Sequence, residues 1–124
     1  MYLNGNIAVA AANARRAYEG EIATLYDLRP EQRPSLQIVN VTESPFVDAV
    51  TDEGLLFLGL PRSYPMGVEW KQCQEIGRRL YDEDENGIAC PSNAAPGEEL
   101  AIFDTALALV ARGARLPFST WYPV

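Results

Sequence analysis

Trp70, Cys73, Ile76 and Leu80 recur at three- and four-residue spacing, with Lys71, Gln74, Glu75 and Arg78 on the other faces. That is the period of an α-helix with one apolar stripe, and it predicts a helix over residues 68–81. Trp70 and Cys73 are expected to pack into the core from that stripe. The acidic run Asp82-Glu83-Asp84-Glu85 reads as a solvated loop, and with Asn86-Gly87 it ends the helix. Gly87 fits the left-handed position that closes many helices. Ile88-Ala89-Cys90 then reads as a buried strand stopping at Pro91, residues 93–98 as a loop, and residues 100–103 as another strand.

The rest of the chain alternates less regularly. Residues 1–3 form a short apolar strand, and Asn4-Gly5-Asn6 a turn in which Asn6 is placed to cap a helix. A helical pattern runs over residues 7–26, alanine-rich at first, with Gly20 weakening it near the middle. Residues 29–34 are a proline-marked loop, and residues 36–41 alternate as a β-branched strand. Residues 46–51 read as a strand or extended run, and residues 54–60 as a short helix or turn packed into the core. Residues 106–114 fit a helix by alanine and leucine content but a strand if pairing overrides propensity. The aromatic stretch 118–124 reads as a strand. The sum is an α+β or mixed α/β domain whose strands are not regularly interleaved with helices.

Composition excludes several function classes. One compact domain accounts for 124 residues. A net charge of −7 repels phosphate backbones and argues against direct nucleic-acid binding. The chain has no histidine, so neither Ser–His–Asp nor Cys–His machinery can be built within it, and a Cys/His zinc site has no ligand set. Catalysis would have to rest on carboxylates, hydroxyls, arginines or backbone dipoles. Two cysteines make no disulfide scaffold, no secretory signal is read at the start, and no segment reaches the roughly 18 apolar residues that span a bilayer. A reduced, cytoplasmic protein is expected, with no membrane contact and no metal.

Trp70, Gln74, Ile76-Gly77 and Leu80 precede Asn86-Gly87-Ile88, then Pro91-Ser92-Asn93-Ala94, then Glu99-Leu100-Ala101-Ile102-Phe103. Upstream lie the strand over residues 36–41 and the run Leu58-Gly59-Leu60. In order and spacing this set resembles the RES domain family. The resemblance implies a fold similar to ADP-ribosyltransferases, with NAD⁺ as the substrate held in a cleft and no metal. It also implies a partner antitoxin of the Xre-like type that blocks the cleft. The family is named for an arginine, a glutamate and a serine. Its serine maps onto Ser92, and its tyrosine–leucine strand onto Tyr2-Leu3, which places Tyr2 with Ser92 at the NAD⁺ site. By spacing the glutamate falls at Asn13, with Glu19 and Glu21 one to two turns further along. The arginine normally precedes the tyrosine–leucine strand, so the N-terminal part of the family domain is expected to be missing from residues 1–124.

Two readings of function follow from the resemblance. The first is a toxin that consumes NAD⁺ by hydrolysis or phosphorolysis of the glycosidic bond, or by ADP-ribosyl transfer. Asn13 and Ser92 would then be the catalytic positions, and Arg15 or Arg16 could reach phosphate. The second is a catalytically inactive RES-like module that pairs with an antitoxin or self-associates, since Asn13 has a carbonyl dipole but no net charge. Exposed aromatics such as Trp121 and Tyr122 would suit its interface. An unrelated α/β domain, with Ser92 as a mere turn residue, is the plain alternative to both.

Overall fold

The computed structural model describes residues 1–122. The first short strand, β1 (Tyr2–Asn4), leads into helix α1 (Ile7–Arg16), capped by the Asn6 side chain, which accepts a hydrogen bond from the Val9 N–H at 2.8 Å. The helix expected over residues 7–26 stops at Arg16. Arg15 and Arg16 suit its negative C-terminal end, and Gly20 in the left-handed region turns the chain away. Two 3₁₀ turns, Leu25–Asp27 and Pro30–Gln32, carry it to strand β2 (Leu36–Val41).

Strand β3 (Val47–Asp48) is followed by α2 (Asp52–Leu58), whose N-cap Thr51 accepts from the Gly54 N–H. Helix α3 (Trp70–Asp82), strand β4 (Gly87–Pro91) and strand β5 (Glu98–Ile102) match the periodicity of the sequence closely. The ambiguous stretch 106–114 divides. Asp104–Leu109 is a 3₁₀ segment, and Val110–Leu116 is strand β6. The expected C-terminal strand is in part a short helix, α4 (Phe118–Trp121), and the end of that stretch lies outside the described residues.

These strands form two sheets. A four-stranded sheet runs β1-β5-β4-β3, with β3 parallel to β4 and the other neighbours antiparallel. A separate antiparallel ribbon pairs β2 with β6. Each has its own core. Leu55, Leu58, Leu60 and Leu80 from the α2–α3 side bury against the large sheet, joined by Ile76, Ile88 and Cys90. Ala11 of α1 and Leu25 bury with Phe118, Trp121 and Tyr122, against Leu36 and Leu116 of the ribbon.

Three expectations are corrected here. Trp70 is 76% exposed, because it is the first residue of α3 and precedes the turns that rest on the sheet; the apolar stripe begins at half-buried Cys73. Trp121 and Tyr122 are not surface aromatics: they are 6% and 7% exposed. Trp121 Nε1 donates to the Pro34 carbonyl at 3.2 Å, and its ring meets those of Phe118 and Tyr122 edge-on. Gly87 does not close α3, since Asp84 takes the left-handed position. Gly87 opens β4 instead, where a Cβ would lie 2.1 Å from the Ala101 carbonyl oxygen. Close strand approach, not turn geometry, requires glycine there. Among the described residues no helix is long and apolar enough to cross a membrane.

Candidate functional site

The ribbon strand β2 faces the β1–α1 unit across a cleft. One part, about 350 Å³, is lined by Tyr2, Asn4, Asn6, Ile7 and Ala10 on one side and Leu36 to Val39 on the other. A second part, about 370 Å³, shares Leu3, Asn4, Gly5 and Val39 with the first and continues along Val41, Phe46, Ala89, Glu98, Glu99 and Leu100. Together they make one groove of the size that takes a nucleotide-like ligand.

Strand alternation sorts its walls. Leu3 pairs with Leu100, and Leu100 with Ala89, so these three share a face, and Glu98, two residues before Leu100, lies on it as well. That face looks across the groove at Val39 and Val41. Tyr2, Asn4, Glu99 and Cys90 lie on the other face. Glu98 therefore brings a carboxylate to the groove, where the sequence pattern predicts only the end of a loop. The signal was present: two glutamates immediately follow Gly97 at the start of a strand.

The residues singled out from sequence land as follows. Asn13 lies on the α1 stripe that begins with Asn6 and Ala10, and its Nδ2 donates to Asn4 Oδ1 at 2.8 Å. Two amides thus meet where the resemblance places a carboxylate. Ser92 is half-buried beyond β4; its N–H donates to the Gly97 carbonyl at 2.8 Å, and its Oγ accepts from the Ala94 N–H at 3.1 Å. Gly97 in turn presses on α1, since a Cβ there would sit 2.6 Å from Asn6 Nδ2. Pro91 pairs with Glu98 and Asn4 with Glu99, so Pro91 is level with Gly5 and Ser92 with Asn6, two strand spacings or about 10 Å across the sheet. Asn4, Asn6, Asn13 and the Ser92 loop share one end of the sheet. Tyr2 is not brought to that end: it pairs with Ala101, borders the cleft, and is 81% exposed. Arg15, Arg16 and Glu19 line a different hollow with Tyr26 and Tyr122, and Glu21 is exposed in the turn beyond it. Among the described residues no group of three or more acidic or cysteine side chains is placed to hold a metal ion.

Behind the sheet, Tyr64 is half-buried near Cys90 and Cys73, and burial foremost, then those two thiols, pushes its hydroxyl up to about 12. Burial, then Glu99, pushes the Cys90 thiol up as well. An unfolded tyrosine ionises near pH ~10. The neutral ring therefore contributes stability that is complete below that pH and is lost as pH rises through the folded value. The urea midpoint is expected to fall between pH 10 and about 12 more steeply in the parent chain than in Tyr64→Phe. Equal slopes in the two would show that Tyr64 is not the group responsible.

Comparison with known proteins places this geometry. The family model described as the RES domain matches residues 2–120. No curated protein matches the sequence. Among solved structures, a chain from the crystal structure of the M. tuberculosis MbcT–MbcA toxin–antitoxin complex shares the fold, with a TM-score of 0.70 at 17% identity. The match covers 94% of this chain and 64% of that one, so the present chain spans just under two thirds of its structural neighbour. The mixed α/β architecture is consistent with an ADP-ribosyltransferase-like fold.

Proposed function

This chain belongs to the RES domain family, and we propose that it is the NAD⁺-consuming toxin of a toxin–antitoxin pair, with NAD⁺ bound between β2 and the β1–α1 unit. The observation that supports this most is the groove itself: amide-lined at Asn4, Asn6 and Gln37, apolar along Val39 and Leu100, and reached by the Glu98 carboxylate. Breaking the nicotinamide–ribose bond sends both bonding electrons to the departing nicotinamide and leaves positive charge on the ribose. A fixed carboxylate beside that centre stabilises the charge as it develops. Glu98 takes this role, and Asn13, held by Asn4, contributes a dipole. Ser92, whose Oγ already accepts from Ala94, keeps its own proton to donate to the substrate. Tyr2 borders the nucleotide from the edge strand.

The acceptor decides the product. Water gives ADP-ribose and a proton, phosphate gives the phosphorylated sugar, and a protein side chain gives an ADP-ribosylated target. Incubating the chain with NAD⁺, with and without phosphate, is expected to release nicotinamide. No release under either condition would sink the enzymatic reading. The neutral Asn4–Asn13 pair favours the second reading in that event: an inactive RES-like module that keeps the fold and pairs with an antitoxin or with itself. In the first reading the partner is a protein antitoxin, in the second an antitoxin or a further copy of the chain, and in both the setting is the cytoplasm.

A further inference from the structure

The ribbon carries an irregularity that places two cations beside the groove. Arg115 pairs with Gln37 and Arg112 with Val39, and the register shifts between these two pairs. On a regular strand, residues three apart point to opposite faces. The bulge inserts one residue, so both arginines follow Gln37 and Val39 onto the same face. Gln37 Nε2 pins the bulge by donating to the carbonyls of Gly113 at 3.0 Å and Ala114 at 3.3 Å.

Arg112 and Arg115 line one hollow of about 390 Å³ with Met1, Gln37, Val39, Leu107 and Val110. Gln37 and Val39 also line the neighbouring part of the groove, so the two spaces adjoin along β2. The lining of the arginine hollow holds no carboxylate. Among the described residues neither arginine enters an ion pair, whereas Arg62, Arg78 and Arg79 each meet an acid. In a chain of net charge −7, two arginines without an acidic partner on one hollow beside the groove are a local concentration of positive charge.

We infer that Arg112 and Arg115 together anchor the pyrophosphate of a dinucleotide lying in the groove. The inference deepens the reading of this groove as an NAD⁺ site and rests on it. Paired guanidinium groups bind adjacent phosphates through charge-assisted forks, which a single ammonium cannot reproduce.

The test uses ADP-ribose, which keeps the pyrophosphate and lacks the nicotinamide. Calorimetric titration of the parent chain is expected to show binding that weakens with salt. The Arg112→Gln/Arg115→Gln variant is expected to bind on the order of 10- to 100-fold more weakly, with a shallower salt dependence. Arg62→Gln, which removes an exposed cation paired with Asp52, controls for net charge and is expected to bind like the parent. Thermal melts check that each variant is folded, and Arg112→Lys/Arg115→Lys, which keeps both charges without the forks, is expected to lose less affinity. Equal binding by the parent and the double Gln variant overturns the anchor, and so does a parent chain that does not bind ADP-ribose. If ADP-ribose binds through these arginines but NAD⁺ yields no nicotinamide, the enzymatic reading fails and the anchor stands. If nicotinamide is released with an unchanged KM in the double Gln variant, the anchor fails and the enzymatic reading stands.

Discussion

Glu98→Gln is expected to release nicotinamide about 10²- to 10³-fold more slowly than the parent chain, the order lost when one preorganised electrostatic group is removed from a transition state. The substitution keeps the side chain's size and removes its charge. Glu98 is exposed and begins β5, and its backbone carbonyl accepts from the Gly5 N–H whether or not the side chain is charged. Folding should therefore be unaffected, and the loss should fall on kcat more than on KM. Glu99→Gln supplies the contrast. Glu99 borders the groove through the strand as well, but alternation turns its side chain to the face shared with Cys90, so its effect on release should be small. Similar losses in the two variants would mean that general negative charge at this end of the sheet matters, not a carboxylate in the groove. An unchanged rate in Glu98→Gln would remove Glu98 from the chemistry and return attention to Asn13.

That contrast also marks how far sequence reasoning reached. Helix α3, strand β2 and the short helix α2 were legible because each buries one stripe or face, and that period is written locally. Ser92 and Asn13 were reached through the resemblance, which orders motifs without saying which of them meet. The groove was not legible. Its walls come from β1 pairing with β5, nearly the full length of the chain away, and from β2 standing in a different sheet. The bulge that aligns Arg112 with Arg115 leaves no period in the sequence, since it breaks one. Alanine and leucine at 106–109 pulled the reading toward a helix, and pairing with β2 decided the residues that follow. The aromatics near the C-terminus misled for a related reason. Hydrophobicity says that a ring wants cover, and not whether the cover is a partner or its own chain.

Trp121→Ala is expected to destabilise the fold by about 3–5 kcal/mol, the range for removing a buried aromatic. Two costs combine there. The indole leaves a cavity among Phe118, Tyr122, Leu25 and Ala11, and the Pro34 carbonyl loses its donor. Against a total of roughly 5–15 kcal/mol for a domain of this kind, that is a large fraction. The shift should appear as a lower urea midpoint with an unchanged slope. Trp121→Phe, which keeps one six-membered ring but loses the N–H and the rest of the indole, should cost less, about 1–3 kcal/mol. The same cluster rests on Leu36 and Leu116, the paired ends of β2 and β6. Since β2 is one wall of the groove and β6 carries both arginines, loosening this core should also weaken ADP-ribose binding at temperatures where the variant is still folded. A destabilised Trp121→Ala that binds ADP-ribose like the parent would show that the ribbon holds its place without the aromatic core, through strand pairing alone.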